Sequence, residues 1–234
     1  MTFTGHNISE PNQRGYFVTG TDTEIGKTFC CVALIHALRQ RGYRVAGLKP
    51  ISAGCERTAE GLRNQDALAL MAAANVDLPY RTVNPHALEP PIAPHLAAAR
   101  VGLEMSPEAA LASMRIALKS ANRVVVEGAG GWLVPINGTQ TFADLAAVLG
   151  LPVILVVGIR LGCINHALLT ARAIQDSDLT LAGWIANRID PEAAVQDENI
   201  AAIGQRIACP LLADIPYMDD PAAASARMHT QILL

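Results

Sequence analysis

The chain has 234 residues, of which 51% are hydrophobic, and it carries a formal net charge of -3. This length and apolar content allow one large α/β domain or two small ones, and they argue against an intrinsically disordered chain. The 18 basic residues never form a cluster of four or more, so we expect no nucleic-acid partner.

The cysteines and the apolar runs indicate the cellular compartment in which we expect the protein. Its five cysteines are an odd number without a C-x-x-C pair, which argues against a disulfide framework and favours the reducing cytoplasm. Residues 1–14 are polar and lack the apolar stretch of a signal peptide, so we predict a flexible tail before a domain spanning 15–234. The longest apolar runs, such as 151–157, are too short to cross a bilayer, so we expect no membrane partner.

From residue 15 onward, short β-branched runs alternate with longer alanine- and leucine-rich segments, which is typical of parallel strands joined by crossover helices. The predicted strands are 16–19, 44–48, 123–127, 153–157, 181–187 and 211–215, and the predicted helices are 27–40, 65–74, 107–121, 142–149, 164–175 and 192–207. The proline-dense segment 88–96 predicts an extended loop, either a plain connector or a functional one. We therefore predict an α/β fold: a single-domain, P-loop-type, mostly parallel β-sheet flanked by helices on both faces.

The stretch FVTGTDTEIGKT, residues 17–28, places a glycine-rich loop between a predicted strand and a buried helix. Five residues separate Gly20 from Gly26, one more than in the usual phosphate-binding loop, but the Gly-Lys-Thr end is intact. Such a loop aims backbone N–H groups and a helix dipole at an anion. Lys27 would then hold the β/γ-phosphates and Thr28 would hold Mg²⁺; the alternative is an ordinary turn.

Three polar side chains stand at the ends of other predicted strands, where ligands bind in an open parallel sheet. Glu127 is followed by glycines and would lie beside the phosphate loop if the two strands are neighbours. It is either a metal ligand or a solvated strand end. Lys49 is either a second cation facing the cleft or a lysine reaching water. Asn187 either pairs with a purine or forms a turn.

Helix starts supply the remaining candidates. Asp66 follows the potential cap Asn64, and it either binds metal or complements the helix dipole. Thr141 and Asp144 match a capping box, so we assign Asp144 to structure. The helix start at 162–165 leaves backbone N–H groups free to bind a carboxylate.

Six motifs occur in a fixed order between residues 15 and 218: YFVTGTDTEIGKT, AGLKP, EGLRNQDALAL, VVVEGAGGWLVP, PVILVVGIRLGCINHALLTA and LAGWIAN. Together they make the chain closely similar to the dethiobiotin synthetase family, which belongs to the P-loop class that also contains the MinD/ParA-like ATPases. The lengthened loop is itself a feature of that family. The resemblance implies a homodimer that closes a ureido ring on 7,8-diaminononanoate with CO₂, ATP and Mg²⁺. It also implies a carbamate and a carbamic-phosphoric anhydride on the way to dethiobiotin, ADP and phosphate.

The resemblance also implies a role for each matching residue. The catalytic residues would be Lys27 and Lys49. The metal ligands would be Thr28, Asp66 and Glu127. The nucleotide would contact Thr23, Glu24, Ile25, Gly26, Lys27, Thr28, Asp66, Glu127, Gly128, Ala129, Gly130, Asn187, Arg188, Pro216, Tyr217 and Met218. The diamine would contact Lys49, Ser52 and Ala53 and, across the dimer interface, Gly162, Cys163, Ile164 and Asn165.

One position departs from the family pattern, and two other functions were weighed. Family members carry a serine four residues after the carbamate-binding lysine, where this chain has Ala53; Ser52 stands one place earlier. A cobyrinate amidase-like ligase would need a glutamine-hydrolysing domain for which we see no room. A MinD/ParA-like switch usually has a second lysine early in the loop, and residues 21–25 contain none.

Overall fold

A six-stranded parallel sheet forms the centre of the protein in the computed structural model, which describes residues 15–233. The predicted tail, 1–14, lies outside the described residues. The strands are β1 (Gly15–Gly20), β2 (Val45–Leu48), β3 (Ile51–Ser52), β4 (Glu56–Thr58), β5 (Gly61–Arg63), β6 (His86–Ala87), β7 (Arg123–Gly131), β8 (Val153–Gly158), β9 (Leu181–Asn187) and β10 (Leu211–Ile215). The helices are α1 (Lys27–Gln40), α2 (Gln65–Ala73), α3 (Tyr80–Val83), α4 (Pro94–Arg100), α5 (Pro107–Ala117), α6 (Phe142–Leu149), α7 (Cys163–Gln175), α8 (Gln196–Gly204) and α9 (Pro221–Ala224), followed by two short 3₁₀ helices, Ser225–Arg227 and Thr230–Leu233.

The strand order of the main sheet is β10-β9-β8-β1-β7-β2, and each neighbouring pair is parallel. β1 therefore lies between two strands that follow it much later in the chain. In its register with β7, Val18 pairs with Glu127 and Gly20 pairs with Gly131. Because the two strands run in the same direction, the end of β1 and Glu127 meet at one edge of the sheet.

Apolar side chains cover both faces of the sheet. Along β1, Phe17 packs into one hydrophobic cluster, whereas Tyr16 and Val18 pack into the other, as the two-residue alternation of a strand requires. Helices α5 to α8 contribute to the first cluster and α1 to the second. The strands thus read as continuous apolar runs because neither face is exposed to water.

α1 is covered on both sides, by the sheet on its inner side and by another part of the chain on its outer side. Its outer side is covered by the C-terminal segment, where Gln40 Nε2 donates to Ser225 Oγ (3.1 Å) and Arg41 Nη1 donates to Thr230 Oγ1 (3.1 Å). The Tyr16 hydroxyl also donates to the carbonyl of Leu233. This cover explains why the sequence of α1 is apolar nearly all round.

The structure corrects two predicted segments. The predicted loop 88–96 is extended only in its first part, because Pro94 occupies the first position of α4, where the fixed φ of proline suits a helix. The predicted helix 192–207 begins only at Gln196, because Asp190 accepts a hydrogen bond from the backbone N–H of Glu192 and forms a turn instead.

The predicted fold class, a single α/β domain with a mostly parallel sheet and helices on both faces, is confirmed. Within residues 15–233, none of the helices is both long enough and apolar enough to cross a bilayer.

The capping box of α6 gives a first testable prediction. Asp144 accepts hydrogen bonds from both the backbone N–H (2.7 Å) and the hydroxyl (2.8 Å) of Thr141. We expect Asp144→Ala to lower the free energy of unfolding by about 1 kcal/mol, because the helix start loses its cap. Urea denaturation measures this change.

The control is Glu104→Ala, which removes an exposed carboxylate outside any helix and should change stability by less than about 0.5 kcal/mol. A fully stable Asp144→Ala protein that has lost its enzymatic activity would contradict the structural role of Asp144.

Candidate active site

The glycine-rich loop joins the end of β1 to the start of α1. Gly26 precedes the helix with φ 79° and ψ 32°, a left-handed conformation that favours glycine. A Cβ atom at this position would also lie 2.2 Å from the side-chain nitrogen Nδ2 of Asn187. The side chain of Lys27 turns back over the loop, and its Nζ donates to the carbonyl of Asp22 (2.6 Å). The loop therefore has the compact form of a phosphate-binding loop despite its extra residue.

Glu127 lies next to this loop and is almost fully buried, with 1% of its surface exposed. Its Oε1 atom accepts hydrogen bonds from Thr28 Oγ1 (2.9 Å) and Lys49 Nζ (2.5 Å). Its Oε2 atom is buried and has no hydrogen-bond partner among residues 15–233. A buried carboxylate oxygen left without a partner is costly, so this atom is a ready ligand for a cation.

Lys49, at the end of β2, is held by three acceptors. Its ammonium group donates to Glu127 Oε1 and to the carbonyl of Gly128 (3.0 Å), and it lies 3.1 Å from Asp66 Oδ2. Burial by itself would lower the pKa of Lys49, but the two carboxylates outweigh burial and leave the pKa above its ordinary value. Lys49 therefore remains protonated at neutral pH.

Lys27 has the opposite environment. Burial, followed by the nearby positive charge of Lys49, lowers the pKa of Lys27 to about 8. Its nearest recorded acceptor is a neutral carbonyl rather than a carboxylate. The ammonium group is therefore poorly compensated by the protein and suited to receive an anion.

Asp66 lies in the first turn of α2, whose cap is Asn64: the Asn64 side chain accepts the backbone N–H of Ala67 (3.1 Å). The predicted cap is thus confirmed. Burial would raise the pKa of Asp66, but the charge of Lys49 and the hydroxyl of Thr28 lower it overall. The Asp66 side chain is 42% exposed, so this carboxylate faces the solvent of the cleft while Glu127 is buried beneath it.

These groups line one cleft of about 870 Å³. It brings together most of the predicted site: Thr23, Glu24, Gly26, Lys27, Thr28, Lys49, Ser52, Ala53, Asp66, Glu127, Ala129 and Gly130. Sequence reasoning missed the rest of the lining: Asn64, Pro91, Ile92, Ala93, Pro94 and Val134. The high proline content of 88–96 was the signal that could have identified this wall, since residues 91–94 of that segment line the cleft.

The other predicted residues lie outside this lining. Asn187 is buried behind the loop and donates to the carbonyl of Ile25 (2.9 Å). Arg188 pairs with Asp214 (2.8 and 2.7 Å) and with Asp197 (2.6 Å). Residues 216–218 follow β10, two strands beyond β8 in the sheet.

The start of α7, which includes the predicted residues 162–165, also lies outside the cleft lining of this chain. Leu161, just before it, is fully exposed, and Leu169 on α7 is 64% exposed. Arg160 connects this region to the phosphate loop through an ion pair with Asp22 (2.5 Å). Leu161 and Leu169 thus face outward, whereas Cys163, the first residue of α7, is buried in the core.

Comparisons with known proteins agree with this architecture. A protein-family model described as "AAA domain" matches residues 14–225. Among solved structures, the MinC:MinD cell division protein complex of Aquifex aeolicus matches with a TM-score of 0.56 and 17% identity, covering 92% of this chain and 86% of that chain. A ParA family ATPase from Chlorobium tepidum matches with a TM-score of 0.55 and 16% identity, covering 91% and 88%. At these identities the likeness shows a shared fold.

Curated relatives are much more similar in sequence. The ATP-dependent dethiobiotin synthetase BioD of Pseudomonas paraeruginosa is 50% identical over 219 residues, which cover 93% of this chain and 96% of the relative. The protein of the same name from Xanthomonas oryzae pv. oryzae is 51% identical over 217 residues, covering 93% and 97%. The one from Cellvibrio japonicus is 48% identical over 221 residues, covering 94% and 97%. This chain belongs to the ATP-dependent dethiobiotin synthetase family.

Proposed function

We propose that the protein is a dethiobiotin synthetase of biotin biosynthesis, a ligase that forms C–N bonds at the expense of ATP. It would close the ureido ring on 7,8-diaminononanoate with CO₂ and release dethiobiotin, ADP and phosphate. The observation that carries this proposal is the convergence of Lys27, Lys49, Asp66 and Glu127 on one cleft beside a phosphate loop. The near full-length similarity to proteins of that name supports the same reaction.

The phosphate loop would bind the triphosphate of ATP. Residues 23–26 and the start of α1 would offer backbone N–H groups and the positive end of the helix dipole. Lys27 would leave the Asp22 carbonyl for the γ-phosphate, and its charge would be compensated by that anion. Charge stabilisation of this kind is what phosphoryl transfer requires of a protein.

The residues Thr28, Asp66 and Glu127 fit a Mg²⁺ ion. Two carboxylates and one hydroxyl are oxygen ligands of the kind that Mg²⁺ takes in nucleotide sites, where phosphates and water complete the shell. The Oε2 atom of Glu127 has no hydrogen-bond partner within residues 15–233, and this observation favours a cation here. When bound, the ion would neutralise charge on the β- and γ-phosphates.

Lys49 would bind and orient the carbamate. One amine of the diamine attacks CO₂ and loses a proton, a carbamate oxygen then attacks the γ-phosphorus and ADP leaves. The second amine attacks the carbonyl carbon of the resulting anhydride. The C–O bond to the phosphate breaks, and phosphate leaves. Glu127, Gly128 and Asp66 surround the Lys49 ammonium, so a carbamate would replace one of these contacts. No residue needs to act as a covalent nucleophile, and positioning would account for much of the rate.

The base of the nucleotide would lie toward β9 and β10. Asn187 ends β9, the neighbour of β8, and donates to the carbonyl of Ile25 in the phosphate loop, which supports a role near the nucleotide. Arg188 and the backbone of residues 216–218 end the two neighbouring strands on that side, and 128–130 would border the phosphates from the other. These contacts with ATP are part of the proposal.

A homodimer would complete the diamine site. Leu161, just before α7, and Leu169, within it, are exposed apolar side chains suited to contact with a second copy of the chain. The N–H groups of residues 162–165 would then bind the substrate carboxylate in the partner's cleft. On the near side, Ser52 and Ala53 line the cleft beside Lys49, but the Ser52 hydroxyl already donates to Asn84 (2.8 Å). The five free thiols fit the reducing cytoplasm.

The reaction itself is tested by phosphate release. We expect release from ATP only when diaminononanoate, bicarbonate and Mg²⁺ are all present, with dethiobiotin formed in equal amount. ATP hydrolysis that is stimulated by DNA or lipid vesicles and is indifferent to the diamine would instead support a MinD/ParA-like switch and overturn the proposal.

Removing the second cation should abolish most of the activity. We expect Lys49→Ala to lower kcat by at least ~10²-fold, as for the loss of a preorganised charge donor. The matched control is Lys119→Ala, which removes an exposed lysine and should leave kcat unchanged. Near-normal turnover of a folded Lys49→Ala protein would exclude Lys49 from the mechanism.

The lowered pKa of Lys27 predicts how nucleotide affinity depends on pH. Below pH 8 the ammonium is charged in the free protein, and affinity for a non-hydrolysable ATP analogue should be constant. Above pH 8 the free lysine loses its proton, whereas bound phosphate raises its pKa, so affinity should fall by up to about tenfold per pH unit. Isothermal titration calorimetry between pH 7 and 10 measures this dependence.

Lys27→Arg provides the control, because a guanidinium stays charged over this range. The variant should bind more weakly but with an affinity that does not change with pH. Equal pH slopes in both proteins would show that another group is responsible.

A further inference from the structure

A buried hydrogen-bond network lies behind the cleft, with the side chain of Asn84 at its centre. Asn84 is 2% exposed and follows α3. Its Nδ2 atom donates to the carbonyl of Lys49 (2.5 Å), and its Oδ1 atom accepts from the hydroxyls of Ser52 (2.8 Å) and Tyr80 (3.0 Å). Both lone pairs of the amide oxygen are thus occupied, and the orientation of the amide is fixed by its partners.

Tyr80 extends this network to the start of α2. Its hydroxyl accepts the backbone N–H of Asn64 (2.8 Å), and because a backbone N–H can only donate, the tyrosine proton points to Asn84. All hydrogen bonds along this path therefore run in one direction, which strengthens each of them. The guanidinium of Arg63 lies 4.3 Å from the centre of the Tyr80 ring and covers it.

The same segment holds the backbone of Lys49 on both sides. The Lys49 N–H donates to the carbonyl of Val83 (2.9 Å), and the Lys49 carbonyl accepts from Asn84. The next residues, β3, pair with β6 through only two residue pairs, Ile51 with His86 and Ser52 with Ala87. The segment 49–52, which follows β2, is therefore held by backbone contacts to residues 83–88.

We propose that Asn84 and Tyr80 are positioning residues, whose side chains set the distance between Lys49 and Asp66. One arm of the network ends on the backbone of Lys49, and the other ends on Asn64, two residues before Asp66. The 3.1 Å contact between Lys49 and Asp66 joins the two segments that the network holds. A change in this network would move the Lys49 ammonium, which would hold the carbamate, relative to the Asp66 carboxylate, which would hold Mg²⁺. This consequence rests on the proposed function.

The geometry distinguishes this role from ordinary packing. Ser52, Asn64 and Asn84 are all buried polar residues, and their hydrogen bonds join two segments that supply the cleft with charged groups. Neighbours that orient metal ligands in this way typically change metal affinity or activity by 10- to 100-fold when they are removed. Small displacements of the charged groups are sufficient, because catalysis depends on their mutual placement.

The test uses Tyr80→Phe, which removes one hydroxyl and keeps the ring. Mg²⁺ should increase the affinity for ADP, and the Mg²⁺ concentration at half of this increase is the midpoint. We expect this midpoint to be about tenfold higher in the variant than in the wild type, while the metal-free affinity for ADP stays within about twofold of the wild-type value. We also expect kcat/KM for the diamine to fall about tenfold. Asn84→Ala should shift the same quantities further; if it does not fold, Tyr80→Phe still decides the question.

The matched control is Tyr16→Phe, which removes a buried tyrosine hydroxyl that donates to the Leu233 carbonyl, away from the cleft. Its melting temperature should fall, with no change in the Mg²⁺ midpoint. The proposal is overturned if Tyr80→Phe shifts this midpoint no more than Tyr16→Phe does, or if its metal-free ADP affinity falls in parallel.

The Mg²⁺ measurement does not depend on the diamine. If the wild-type protein binds ADP more tightly with Mg²⁺ but shows no diamine-dependent phosphate release, the proposed function is refuted. The Mg²⁺ midpoint would still decide the role of Tyr80. A wild-type protein without Mg²⁺-linked ADP binding would overturn both.

Discussion

The buried carboxylate of Glu127 is the constraint on which the rest of the site depends. Removing a carboxylate from water costs several kcal/mol unless partners satisfy it. Thr28 from the start of α1 and Lys49 from the end of β2 supply those partners on one oxygen. Three segments far apart in the chain are thereby fixed at one edge of the sheet, and the other oxygen remains available to a cation.

The charges around Glu127 are balanced unevenly. Lys49 is compensated by two carboxylates, whereas Lys27 has a carbonyl acceptor, and its burial, followed by repulsion from Lys49, lowers its pKa. In the proposed function the phosphates of ATP would compensate Lys27, and the carboxylates of Asp66 and Glu127 would hold the metal ion. This arrangement of charges thus suits an anion and a cation together, which is the charge pattern of a nucleotide site.

Much of the fold and of the site follows from local sequence signals. The apolar runs predicted all six strands of the main sheet, and the Gly26-Lys27-Thr28 end predicted the start of α1. Strand ends were informative as well, because the carboxyl edge of a parallel sheet collects the polar residues that follow each strand. Lys49, which follows β2, was found in this way. Glu127 was found from a strand predicted to end at 127, but β7 continues to Gly131, so Glu127 lies within the strand.

Other parts depend on contacts between distant residues and left no local pattern. That β7 lies beside β1 could only be assumed, since strand order is set by the packing of the whole sheet. The wall formed by residues 91–94 and the network around Asn84 arise from tertiary packing, and an isolated Asn or Tyr in a sequence gives no indication of its partners. The C-terminal cover of α1 was missed for the same reason.

The most direct measurement of the central claim is anomalous diffraction from crystals soaked with Mn²⁺ and a non-hydrolysable ATP analogue. The account predicts one peak within coordination distance of oxygen atoms of Thr28, Asp66 and Glu127 and of the bound phosphates. Well-ordered nucleotide with its metal ion held elsewhere, and Glu127 still without a partner on its second oxygen, would contradict it.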